Sequence, residues 1–176
     1  MRIVSGIKLR FFGIATCQYS IDGRHIILKG ASGNGKTYLA CALGNAACRK
    51  FYIVKCIHML ELLDELNVAK GCGDFKKTIK AYQKINLLIL DEWLICTLTL
   101  QESYDLLEIA ESRFTDKSTI FCTQYEPVEW YSRITPTEAA GRSMLEVIMG
   151  RIIYNLYEVL IDDKVSMCEH HGLKAT

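Results

Sequence analysis

The sequence predicts an α/β fold, a five-stranded parallel sheet with helices on both faces. Three observations predict it. Short apolar runs alternate with stretches of helical periodicity along the chain. One run, Leu87-Leu88-Ile89-Leu90, is continuously apolar, as a central parallel strand is, and it ends on Asp91-Glu92. A glycine-rich turn, Gly30 to Thr37, separates the first apolar run from the first helical stretch. Strand-helix alternation implies right-handed crossovers and a parallel sheet covered on both sides. Ligands on such sheets bind beyond the carboxyl ends of the strands.

The elements follow in order. His25–Lys29 is a short apolar run stopped by Gly30, a buried strand. Lys36–Arg49 is a helix, with Leu39, Leu43 and Ala47 on one face and Arg49 and Lys50 at its carboxyl end, where cations are favoured. Tyr52–Ile57 is the second strand. His58–Lys70 carries Met59, Leu62, Leu63 and Leu66 at helical spacing, and Gly71-Cys72-Gly73 stops it. Asp74–Lys84 is a helix with Phe75, Ile79 and Tyr82 on one face and Lys76, Lys77, Lys80 and Lys84 on the other. Leu87–Leu90 is the third strand. Thr99-x-x-Glu102 is a capping box that opens a helix to about Phe114. Ser118–Cys122 is the fourth strand. Thr135-Pro136-Thr137-Glu138 is a second capping box, with Pro at the first helical position, and helix follows to about Arg151. Ile153–Ile161 is the fifth strand.

The chain has 176 residues, which suits one domain with a real core. The expected division is a core over residues 1–164 and a polar tail over 165–176. Few residues remain after the fifth strand, so no full C-terminal lid is expected. A net charge of +1 and 2 prolines argue against a disordered or strongly basic chain, but not against a local basic patch. No apolar run approaches the ~18 residues a membrane span needs. Lys8 and Arg10 interrupt the stretch a signal peptide requires, so the expected location is cytoplasmic. Eight cysteines without a Cys-x-x-Cys pair, several inside apolar runs (Cys41, Cys56, Cys96, Cys122), are expected to be reduced, buried thiols. A zinc site from Cys168, His170 and His171 lacks a fourth ligand.

Gly30-Ala31-Ser32-Gly33-Asn34-Gly35-Lys36-Thr37 matches the phosphate-binding pattern G-x-x-x-x-G-K-[ST] between a strand and a helix. This defines a P-loop NTPase. The glycines let backbone N–H groups turn toward phosphate oxygens, and the helix supplies its positive end. Lys36 reaches the β- and γ-phosphates, and Thr37 offers a hydroxyl to Mg²⁺. Asp91 is placed to hold that ion with Thr37, and Glu92 to polarise the attacking water. A dinucleotide motif starting at Gly33 fails because position 38 is Tyr38. Thr123-Gln124 ends the fourth strand, where a polar side chain would lie between the γ-phosphate and the water. Arg151 and Arg113 are candidates for a charge delivered to a neighbouring subunit's nucleotide.

The stretch from Ile26 through Ala40, the run Leu87–Trp93, the run Ser118–Gln124 with Trp130 beyond it, and Val165-Ser166-Met167 together resemble the IstB-like ATP-binding proteins. The resemblance spans about residues 13–174. These are AAA+ ATPases that assist insertion-sequence transposases and are related to DnaC-type helicase loaders. The resemblance implies an AAA+ core, ATP with Mg²⁺, a homo-oligomer on double-stranded DNA, and a transposase or replicative helicase as partner. It places Lys36 and Thr37 on Walker A, Asp91 and Glu92 on Walker B, Thr123 on the strand-tip sensor and Arg151 on the arginine finger. It also implies DNA contact through the insertion between the second and third strands, where the Lys70–Lys84 segment holds five lysines and one acid.

Three departures from the family pattern stand out. Gly150 precedes Arg151 where Asp is usual, Cys168 replaces an arginine, and only 29 residues precede Gly30. A helper ATPase of transposition, a helicase loader, and a truncated or diverged nucleotide-binding module with impaired hydrolysis are the functions these features allow.

Overall fold

The computed structural model describes Cys17, residues 23–113 and 116–134, Glu146, Gly150 and residues 156–161. Five strands form one parallel sheet: β1 His25–Lys29, β2 Val54–His58, β3 Leu87–Asp91, β4 Ser118–Thr123 and β5 Leu156–Leu160. The order across the sheet is β2-β3-β4-β1-β5. Among the described residues five helices accompany them: α1 Lys36–Cys48, α2 Met59–Gly71, α3 Phe75–Lys84, α4 Leu100–Arg113 and α5 Pro127–Ile134.

Strand alternation divides the core in two. Ile27, Ile57, Leu88, Leu90 and Phe121 face one side, where Met59, Leu62, Leu66, Leu106, Ile109 and Trp130 from α2, α4 and α5 cover them. Ile26, Leu28, Leu87, Ile89 and Ile120 face the other side, under Leu39, Ala40, Leu43 and Ala47 of α1. The inner strands β1, β3 and β4 are buried nearly throughout, as their apolar runs require.

The sequence-based boundaries hold closely through α4. The Thr99 capping box forms: the Glu102 N–H donates to Thr99 Oγ1 at 3.3 Å and the Thr99 N–H to Glu102 Oε2 at 2.7 Å. β2 runs one residue further than expected and includes His58. α5 is an addition, since no helix was expected over Pro127–Ile134. The cysteine expectation is corrected. Cys41, Cys48, Cys56 and Cys72 are exposed, Cys96 is half-buried, and only Cys17 and Cys122 are buried among the described residues. The helical wheel explains it for Cys41, which lies two residues from both Leu39 and Leu43 and so points away from the buried Leu39, Leu43 and Ala47 stripe. The expected helix from Pro136 to about Arg151 lies outside the described residues apart from Glu146 and Gly150, as do Arg151, the tail 165–176, Cys168, His170 and His171.

His25 is buried at the start of β1, where its Nδ1 accepts the Thr119 N–H at 3.2 Å. Burial, with a smaller contribution from Arg113, draws its pKa from 6.5 to about 4. The unfolded chain therefore binds a proton that the folded chain refuses between those values. Chemical denaturation should show stability falling as pH drops from 6.5 toward 4, by up to ~1.4 kcal/mol per pH unit from this group. The slope should flatten in His25→Asn.

Candidate functional site

The carboxyl ends of β1, β3 and β4 lie side by side, because Lys29 pairs with Thr123 and Leu90 with Phe121. The Gly30–Thr37 loop rises from β1 and enters α1. Gly30 is a close approach: a Cβ there would lie 2.4 Å from the Ile161 carbonyl oxygen. Gly33 and Gly35 hold φ of 81° and 80°, the left-handed region that glycine reaches without steric cost. Asn34 Nδ2 donates to the Ile161 carbonyl at 3.1 Å, which ties the loop to the end of β5.

A cavity of about 240 Å³ opens at this edge. It is lined by Ser32, Gly33, Gly35, Lys36 and Thr37 from the loop, by Asp91, Glu92 and Trp93 from the end of β3, and by Cys122, Thr123, Gln124 and Tyr125 from the end of β4. Lys36 Nζ donates to the carbonyls of Gly30 at 2.9 Å and Ala31 at 2.7 Å. Desolvation lowers its pKa, with Asp91 and Glu92 among the charges that oppose the shift. Thr37 Oγ1 donates to Asp91 Oδ2 at 2.8 Å. Asp91 is 5% exposed, and its other oxygen accepts the Glu92 N–H at 3.0 Å. The Glu92 side chain is half exposed at the cavity mouth. Loop, hydroxyl, buried carboxylate and open carboxylate thus meet in one place. A hydroxyl and a carboxylate are hard oxygen donors, the kind Mg²⁺ takes, so this pair fits that ion.

Thr123 lines the cavity, but its hydroxyl is engaged on both sides. It donates to the Trp93 carbonyl and accepts the Tyr125 N–H, each at 3.1 Å. Gln124 beside it is exposed and donates to the Tyr125 hydroxyl at 3.1 Å. His58 is a neighbour that the motifs did not single out. It pairs with Asp91 in the β2–β3 register, and its Nδ1 lies 4.0 Å from Asp91 Oδ2 and 3.9 Å from Glu92 Oε2. The signal was its place just after the second apolar run.

Arg113 is corrected. It is 1% exposed and donates to the carbonyls of Tyr82 at 2.7 Å, Ile85 at 2.8 Å and Ser118 at 2.6 Å. It clamps α3 and the starts of β3 and β4, at the edge of the sheet away from the cavity, so it has no charge to deliver to a neighbour. Lys76, Lys77, Lys80 and Lys84 do come together, around a shallow depression on α3 with Gly73 and Ala81. Phe75 and Ile79 on the opposite side pack against the core, and Tyr82 is buried in it.

Glycine loop, Lys36, Thr37 and the Asp91-Glu92 pair on a parallel sheet define the P-loop NTPase class. The chain belongs to the IstB-like ATP binding protein family, whose sequence pattern matches residues 7–173. Among its relatives is a Pseudomonas fluorescens protein named as an ATP-binding protein of insertion sequence IS1162, 40% identical over 105 residues, covering 59% of this chain and 46% of the relative. Another is y4pL of Sinorhizobium fredii, named as an insertion sequence ATP-binding protein, 35% identical over 77% of this chain and 53% of the relative. The chain spans about half the length of these relatives. Among solved structures it is similar to DnaI, with TM-score 0.74 and 21% identity over 90% of this chain and 84% of that one. It is also similar to the DnaC helicase loader, with TM-score 0.66 and 20% identity over 92% and 94%. DnaA bound to AMPPCP and single-stranded DNA gives 0.73 and 17% over 93% and 49%. These likenesses establish the AAA+ fold.

Removing the Arg113 clamp should be costly without touching the cavity. Arg113→Ala removes three hydrogen bonds to buried carbonyls and should destabilise the fold by roughly 3 kcal/mol or more. A urea melt would register this as a lower midpoint.

Proposed function

We propose that this chain is an ATPase of the insertion-sequence helper type, which binds ATP with Mg²⁺ at the Gly30–Thr37 loop and assembles on DNA beside a transposase. The single observation that carries the reading is the convergence of Lys36, Thr37, Asp91 and Glu92 on one cavity. Nucleotide phosphates take the place of the Gly30 and Ala31 carbonyls as acceptors for Lys36, and the loop N–H groups and the α1 N-terminus add their partial positive charge. Thr37 and Asp91 hold Mg²⁺, which supplies charge neutralisation at the phosphates. Glu92 orients a water and accepts its proton as the water oxygen bonds to the γ-phosphorus. The bond to the β-phosphate oxygen breaks, giving ADP and inorganic phosphate. Gln124 and Thr123 stand at the γ-phosphate end of the cavity.

The lysine face of α3 is the proposed DNA contact. Four cations around one depression suit phosphate oxygens, and such binding is independent of sequence and sensitive to salt. The names of the relatives support an insertion-sequence setting, and a transposase partner and a homo-oligomer on double-stranded DNA are part of this proposal. Arg151 is proposed as the arginine that completes a neighbouring subunit's site.

Lys36→Ala should weaken ATP binding about 10- to 100-fold, the worth of a charge-assisted contact of ~1.5–3 kcal/mol, in a fluorescent-nucleotide titration. Glu92→Gln should keep ATP affinity and lower turnover by about 10²-fold or more. Equal turnover in Glu92→Gln and the parent chain would remove Glu92 from the mechanism. For the DNA face, the Lys76, Lys77 and Lys80 triple alanine variant should weaken duplex binding and shrink the log-log salt slope by about 3. An unchanged slope would place the DNA contact elsewhere.

A further inference from the structure

Glu92 and Leu94 both hold positive φ, 55° and 56°, although neither is glycine. A residue with a side chain reaches this region only at a steric cost, so neighbouring contacts must hold the turn in this shape. Those contacts are visible. The Trp93 N–H donates to the Cys122 carbonyl at 2.8 Å, and the Trp93 carbonyl accepts from Thr123 Oγ1. These bonds fix the turn on the β4 side. On the far side the fixing group is Arg133, from the last turn of α5.

Arg133 Nη1 donates to the Leu94 carbonyl at 3.1 Å and approaches the Ile95 carbonyl at 3.4 Å. Its guanidinium stacks over the Tyr125 ring, 3.5 Å from the ring centre. The Tyr125 hydroxyl accepts from Gln124 Nε2, and its N–H donates to Thr123 Oγ1. One side chain therefore grips both loops that flank the cavity, the one bearing Glu92 and the one bearing Gln124. α5 itself is anchored. The Arg133 carbonyl accepts the Leu98 N–H at 2.8 Å, the Ile134 carbonyl accepts the Ser103 hydroxyl at 2.5 Å, and Trp130 is fully buried against Trp93 and Phe121.

We infer that Arg133 is a positioning residue for hydrolysis: it holds the strained Glu92–Leu94 turn and the Gln124-Tyr125 tip at a fixed separation across the cavity. It does not line the cavity, so it acts through these two loops. The planar guanidinium is required because one group must donate to a carbonyl at its edge while stacking on a ring with its face. The inference rests on the ATPase reading given above.

The test compares the parent chain with Arg133→Ala, Arg133→Lys and Glu92→Gln. Arg133→Ala should lower kcat about 10- to 100-fold, the scale of a small misplacement of a reacting group. The dissociation constant for AMPPCP should stay within about twofold. Arg133→Lys keeps a donor without the stack and should recover part of kcat. Hydrogen–deuterium exchange in Arg133→Ala should speed up in peptides spanning 92–98 and 123–126, with β1 and α1 peptides unchanged. Unchanged kcat, or equal loss of kcat and AMPPCP affinity, would overturn the inference, and so would unchanged exchange over 92–98. If the parent chain shows no more turnover than Glu92→Gln, the ATPase reading fails, and the exchange data alone decide whether Arg133 holds the two loops.

Discussion

The hydrogen bond from Thr37 to Asp91 is the contact on which the rest of the site depends. It joins the first turn of α1 to the end of β3, two elements 54 residues apart in sequence. In the sheet β4 lies between β1 and β3, and α1, which packs over Leu87 and Ile89 of β3, carries Thr37 across to the β3 end. Register matters as much as order. Asp91 faces the α1 side along with Leu87 and Ile89, and a slip of one residue in β3 would turn it to the opposite face.

The loop geometry serves the same contact. Gly30 lies against the Ile161 carbonyl too closely for any side chain, and Gly33 and Gly35 take the left-handed backbone needed to enter the helix. Asn34 and the Ile161 N–H, which donates to the Lys29 carbonyl at 2.7 Å, bind the loop's base to β5. Lys29 adds an ion pair with Glu126 at 2.6 Å and another with Glu158. The loop is thus mounted on a rigid strand pair, while its cavity face stays open. The electrostatics divide accordingly. Lys36 and the α1 N-terminus are the positive side, buried Asp91 and open Glu92 the negative side, and a phosphate with its cation matches both.

Much of this was legible in the sequence because the strongest signals are local. A continuous apolar run from Leu87 to Leu90 has few alternatives to a buried strand, and the glycine pattern has few alternatives to a phosphate loop. The Thr99 capping box marked the start of α4 to the residue. α5 escaped because eight residues give too little periodicity, although Pro127 at its first position and Glu129 capping the Glu126 N–H at 2.7 Å were signals in hindsight. Arg113 and Arg133 show the limit more sharply. Arg113 reads in sequence as a charge for a neighbouring subunit's nucleotide and Arg133 carries no local signal, yet one is buried on three carbonyls and the other bridges two loops, because long-range packing decides the surroundings of a long side chain. The exposed cysteines teach the same lesson, since an apolar run does not say which of its members faces the core.

The direct test of the site is calorimetric titration of ATP with and without Mg²⁺, on the parent chain and on Thr37→Val. Coupling through the Thr37–Asp91 pair predicts that Mg²⁺ tightens ATP binding to the parent chain, and that most of this gain disappears in Thr37→Val while Mg²⁺-free affinity is retained. The same gain in both proteins would contradict the account, because the ion would then be held without the hydroxyl that the fold brings to Asp91.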